Sequence, residues 1–142
     1  MTFIIGTPMT PLILFAVSAV IFLILDALML TFVMRPLFET YLKDLMLADL
    51  RLIPAAVFYL GYVAGLTYLV SWPALKTGAP VIIPAAVVGA MAYGTYELTS
   101  YTIMKAWHPT LVMVDMTWGT IATALVAWGG VVITRAVMGI TV

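Results

Sequence analysis

Three carboxylic acids stand where the chain has least room for charge: Asp26 in FLILDALML, Glu97 in YGTYELTSY and Asp115 in LVMVDMTWGT. An ionisable side chain inside a long apolar run is costly, and where one occurs it marks an ion path, a proton relay or a ligand site, or it serves as interhelical hydrogen-bonding glue. None of the three has a Lys or Arg within its own run. Like charges a few ångströms apart in low dielectric cannot all ionise, so one or two of these acids should hold a proton and donate as well as accept. Three kinds of chemistry stay open to them. They could bind a cation or relay protons, with His108 near the mouth. They could orient the polar end of a lipid-like or pigment-like ligand, with or without turnover. Or they could act structurally, in a network with Tyr59, Tyr62, Tyr93, Thr99, Thr120 and Trp118. The ligand or ion-binding candidates are Asp26, Glu97, Asp115, Tyr59, Tyr93 and Trp118; the residues name neither a metal nor a cofactor.

The elements that must position these side chains are four apolar runs, at 11–34, 52–72, 80–104 and 110–134. Each is long enough to cross about 30 Å of hydrocarbon. Prolines mark their starts: Pro11, Pro54, Pro80 with Pro84, and Pro109 fall in or near first turns, where a missing N–H costs least. At about 1.5 Å per residue, Asp26 lies about 12 Å from the end of its helix, Glu97 about 10 Å and Asp115 about 8 Å, all measured from the same face. Tyr59 reaches about 10 Å by the same measure, so every helix brings a polar group to one level. Helical spacing puts Tyr93, Glu97, Ser100 and Tyr101 on one stripe of the third helix. Asp115, Trp118, Gly119 and Thr123 form another on the fourth. The short turn at 105–109 makes these helices antiparallel neighbours, so the stripes can face each other. Gly61 and Gly65 form a GxxxG in the second helix, a surface suited to close helix contact.

The long connection RPLFETYLKDLMLADLR has Phe38, Tyr41, Leu42, Leu45 and Met46 at three-and-four spacing, which predicts a short interfacial helix at about 37–48. Arg35, Lys43, Arg51 and Lys105 collect on one side of the spans, against Lys76 and Arg135 on the other. The positive-inside rule then puts the first set in the cytoplasm and both termini outside. The run from Pro11 to Met34 is too long for a signal-peptide core and has no basic segment before it, so it reads as a retained span.

Of the 142 residues, 65% are hydrophobic and 8% charged, more apolar surface than a soluble domain of this length can bury. Six basic and six acidic residues cancel, leaving no field to attract nucleic acid. With no cysteine, disulfides, thiolate metal sites and a Cys nucleophile are excluded. GxSxG, HExxH and a Gly-rich phosphate loop are also missing, as are the Glu-x-x-His pairs of a di-metal site.

The segments LDALML, FYLGYVAGL, AYGTYELT and VDMTWGT together resemble a bacterial family of four-helix inner-membrane proteins, domain of unknown function 2177, over roughly residues 12–135. VDMTWGT is the most specific of them. The resemblance implies a bacterial cytoplasmic-membrane location and a bundle of this length, and it brings no activity. The family pattern frequently has an aspartate at Glu97 and an asparagine at Thr99. The reading is thus all-α, a single transmembrane four-helix domain over 1–142. Its expected role is that of a non-enzymatic membrane component, an accessory or assembly subunit of a larger membrane complex that touches lipid and other membrane subunits. The alternative is an ion- or proton-coupled transporter, or a protein or enzyme acting on a lipid or pigment.

Overall fold

A computed structural model, which describes residues 7–141, contains four long helices: α1 (Met9–Tyr41), α2 (Leu52–Thr77), α3 (Ile82–Ile103) and α4 (Pro109–Met138). The 42–51 connection and the 104–108 turn lie at one end of the bundle, here the near end. The 78–81 turn and residues 138–141 lie at the far end with the start of α1, where Ile140 joins Leu14, Ala74 and Leu75 in one apolar cluster. Prolines open the helices as expected: Pro11, Pro54 and Pro84 are third residues and Pro109 is a first residue. Gly78 and Gly139 end α2 and α4 at φ 73° and 63°, a conformation in which a side chain would be strained.

α1, α2 and α4 are long and apolar enough to cross a membrane by themselves. α3 is not among them, which narrows the expectation of four independent spans. Its 22 residues carry Tyr93, Thr95, Tyr96, Glu97, Thr99 and Ser100, and this polarity dilutes the apolar run. What holds α3 is α4, against which it packs more extensively than any other pair of helices in the fold. α4 is the hub, touching α1, the far half of α2, and α3. Small residues allow this. A methyl group on Gly130 would lie 2.3 Å from the Ser18 side-chain Oγ, and one on Gly89 would lie 2.5 Å from the Gly119 carbonyl oxygen, so at the second crossing backbone meets backbone.

Two expectations need correction. The 37–48 segment is not a separate interfacial helix. α1 continues through it to Tyr41, and only a short 3₁₀ turn, Lys43–Leu45, follows. The continuation runs through a widened π-helical turn at Leu30–Met34, two residues before Pro36. α2 repeats the device, with a π turn at Thr67–Ser71 two residues before Pro73. Proline cannot donate to the fourth residue back and crowds its carbonyl, and a wider turn accommodates both defects without ending the helix. Thr40 and Thr77 each donate to the carbonyl of the proline four residues earlier. The second correction concerns the GxxxG of α2: nothing lies within 4 Å of a methyl group built on Gly61 or Gly65, so this surface brings no helix close.

Candidate functional site

The inward face of α1 is set by Leu14, Ser18, Phe22 and Asp26, one residue every four, so Asp26 is buried by the same periodicity that buries the leucine and phenylalanine. Across from it on α2, the Tyr59 hydroxyl donates to Asp26 Oδ2. The Tyr59 and Tyr62 rings both lean on Phe22, with centroids 5.3 Å away in each case. Tyr62 is hydrogen-bonded to Thr123 of α4 at 2.7 Å. The Tyr93 ring lies flat over Gly119, whose added Cβ would sit 2.1 Å from the ring. The predicted stripes of α3 and α4 therefore meet at Tyr93 and Gly119. Tyr101, also assigned to that stripe, is turned out and half exposed.

Glu97 is completely buried, and Asp115 nearly so. Their carboxyl groups are neighbours in the fold. The other side of Glu97 accepts from the Trp107 indole N–H at 2.7 Å, while its Oε1 has no hydrogen-bond partner. Trp107 is buried between Phe38 and Tyr96 and closes the acid layer at the near end. No spacing in the sequence signalled this, because Trp107 reaches back ten residues from a turn whose shape is not periodic.

Several polar groups assigned to the network are elsewhere. Thr99 donates to carbonyls of its own helix, at Thr95 and Tyr96, and Thr120 donates to Met116. The Trp118 indole nitrogen is buried beside Asp26 but is not in hydrogen-bond geometry with it. His108 is remote from the acids: it stacks on Tyr41 with centroids 4.1 Å apart and accepts from the Thr110 backbone N–H, capping α4. Among the described residues no three of His, Cys, Asp and Glu converge so as to hold a metal ion.

Asp26 and Asp115 do share a cavity of about 400 Å³. Below them it is walled by Met34 of α1 and by Ala92 and Tyr93 of α3. Its rim, formed by Leu30, Phe58 and Tyr96, is exposed on the flank of the bundle, where α2 and α3 do not pack along their lengths. The opening therefore faces sideways.

The predicted membrane protein family DUF2177 matches residues 11–132, nearly all of this architecture. The chain belongs to that family. Nothing among the curated proteins or the solved structures matches it. As a DUF2177 member it is a membrane protein of several apolar helices in contact with the bilayer, and the resemblance of LDALML, FYLGYVAGL, AYGTYELT and VDMTWGT is confirmed over almost the same stretch. Of these motifs, LDALML, AYGTYELT and VDMTWGT each contribute one of the three acids, and FYLGYVAGL contributes Tyr59.

Proposed function

We propose that this protein binds an amphiphilic molecule which enters sideways from the lipid, its polar end held at Asp26 and Asp115. The observation that carries the reading is the cavity itself: two acids at the back, an apolar and aromatic wall, and a rim on the lipid-facing flank. Ligand sites are concave and mostly apolar, with a few convergent polar groups that fix orientation, and about 400 Å³ is within their usual range of about 300–1,000 Å³. It suits a head group and the first few carbons of a chain, the rest of which would lie in the bilayer. Bacterial inner membrane as the location, with the near end in the cytoplasm, is part of the same proposal and rests on the distribution of Lys and Arg.

Filling the cavity tests this without touching an acid. Ala92→Phe places a ring in the space, and a protein purified from its native membrane should then lose an amphiphile that copurifies with the wild type, as read by mass spectrometry of the extracted protein. Identical extracts from the two proteins would defeat the reading.

A second reading, an accessory subunit of a larger membrane complex, is favoured by the bare near half of α2, where residues 52–58 are all exposed. Purification in mild detergent should then recover a stoichiometric partner. A lone chain, also in native membranes, would count against it.

A further inference from the structure

We propose that the head group received by this cavity is an organic cation, a substituted ammonium held between the Asp26 and Asp115 carboxyls and the surrounding aromatic rings. This deepens, and rests on, the amphiphile reading above.

Charge balance is the first ground. Two acids line the cavity and a third, Glu97, stands directly behind Asp115, yet no Lys or Arg lines it. The basic residues are committed elsewhere or lie in the loops: Arg35 is paired with Glu39 at 3.0 Å on the surface, Arg135 donates to the Ala74 carbonyl at the far end, and Lys76 sits over the Trp72 ring. With no basic side chain in the lining, any countercharge must arrive with the ligand or as protons.

Polar capacity left unmet in the acid layer is the second ground, independent of the acids lining the cavity. Glu97 is fully buried and its Oε1 has no hydrogen-bond partner. A buried polar atom without a partner is costly and in native proteins calls for an explanation. A cation seated at the neighbouring Asp115 offsets the negative potential of the whole acid layer.

The walls supply the third ground. Small inorganic cations need several convergent ligands, and among the described residues no three of His, Cys, Asp and Glu converge. A substituted ammonium spreads its charge over a larger, weakly hydrated surface, loses less on leaving water, and is attracted to the faces of aromatic rings within about 6 Å. Phe38, Phe58, Tyr93 and Tyr96 line the same space as the two acids.

Three probes with one alkyl chain separate the possibilities: decyltrimethylammonium, decanol and decanoate, each radiolabelled and equilibrated with the full chain in nanodiscs, with empty nanodiscs subtracted. The cation should bind near one per chain and at least tenfold more tightly than the alcohol, with decanoate weakest. Asp26→Asn with Asp115→Asn should remove that preference, and Ala92→Phe should abolish saturable binding. Equal binding of cation and alcohol, both lost in Ala92→Phe, would overturn the cation and leave the amphiphile site standing. Binding of all three probes that Ala92→Phe leaves unchanged, or no saturable binding of any, would overturn both. The comparison of head groups is made on the wild-type protein, so the cation proposal remains falsifiable even if the double variant fails to fold.

Discussion

Gly89→Ala should lower the stability of this protein by about 3 kcal/mol, because the methyl group it adds meets backbone that cannot rotate away. The added Cβ would stand 2.5 Å from the Gly119 carbonyl oxygen and 2.8 Å from Thr123 Cβ. A side-chain obstacle can rotate away, but a carbonyl in the middle of α4 cannot. Relief must come from moving α3 off α4, and α3 has no comparable contact with another helix to fall back on. Because α3 carries Glu97 and several tyrosines, separation exposes polar groups to lipid, compounding the loss. Thermal unfolding in detergent, followed by far-ultraviolet circular dichroism, measures the effect. Gly61→Ala and Gly65→Ala are the controls: each methyl group meets open space, and removing a glycine from a helix interior should leave stability unchanged or raise it by up to about 1 kcal/mol. If Gly89→Ala behaves like these two, the close crossing of α3 and α4 is wrong.

That contrast also marks where the sequence could be read. The GxxxG at Gly61 and Gly65 follows the recognised pattern and faces nothing, whereas Gly89 and Gly119, on different helices and in no shared motif, make the tightest crossing. Small-residue spacing says where a helix could approach, and only the arrangement of the other three helices decides where one does. The level of the acids was legible because a helix has a fixed rise: counting from the helix ends put Asp26, Glu97 and Asp115 together, and Asp26 and Asp115 line one cavity with Glu97 against Asp115. Their neighbours were only partly legible. Tyr59 meets Asp26 and Tyr93 lines the cavity, while Thr99 and Thr120 satisfy themselves on their own helices, an option open to any threonine and invisible to periodicity. The extension of α1 to Tyr41 was missed because a proline with a charged neighbour reads as a helix end. The Pro-x-x-x-Thr spacing shared by Pro36 with Thr40 and Pro73 with Thr77 is the signal that was available.

Trp107→Phe should cost about 3 kcal/mol, out of proportion to the small volume removed, because it takes away the single donor to a carboxyl that is fully buried. Glu97 Oε1 has no hydrogen-bond partner already, so the variant leaves both carboxyl oxygens without one. Glu97→Leu alone should also destabilise, by about 1–2 kcal/mol, since it strands the indole N–H and removes a partner from Asp115. Combining them discriminates a hydrogen bond from simple volume loss. If the bond is what each single change breaks, the double variant strands neither partner, and its loss should fall short of the sum of the two by at least about 1 kcal/mol. Additive losses, measured by the same unfolding experiment, would mean that Trp107 acts through ring contacts with Phe38 and Tyr96 alone. The distinction bears on the site because Trp107 ties the turn between α3 and α4 to the deepest acid of the layer. A real bond makes that turn the near-end closure of the cavity's acidic wall, and loosening it should release Glu97 and Asp115 together.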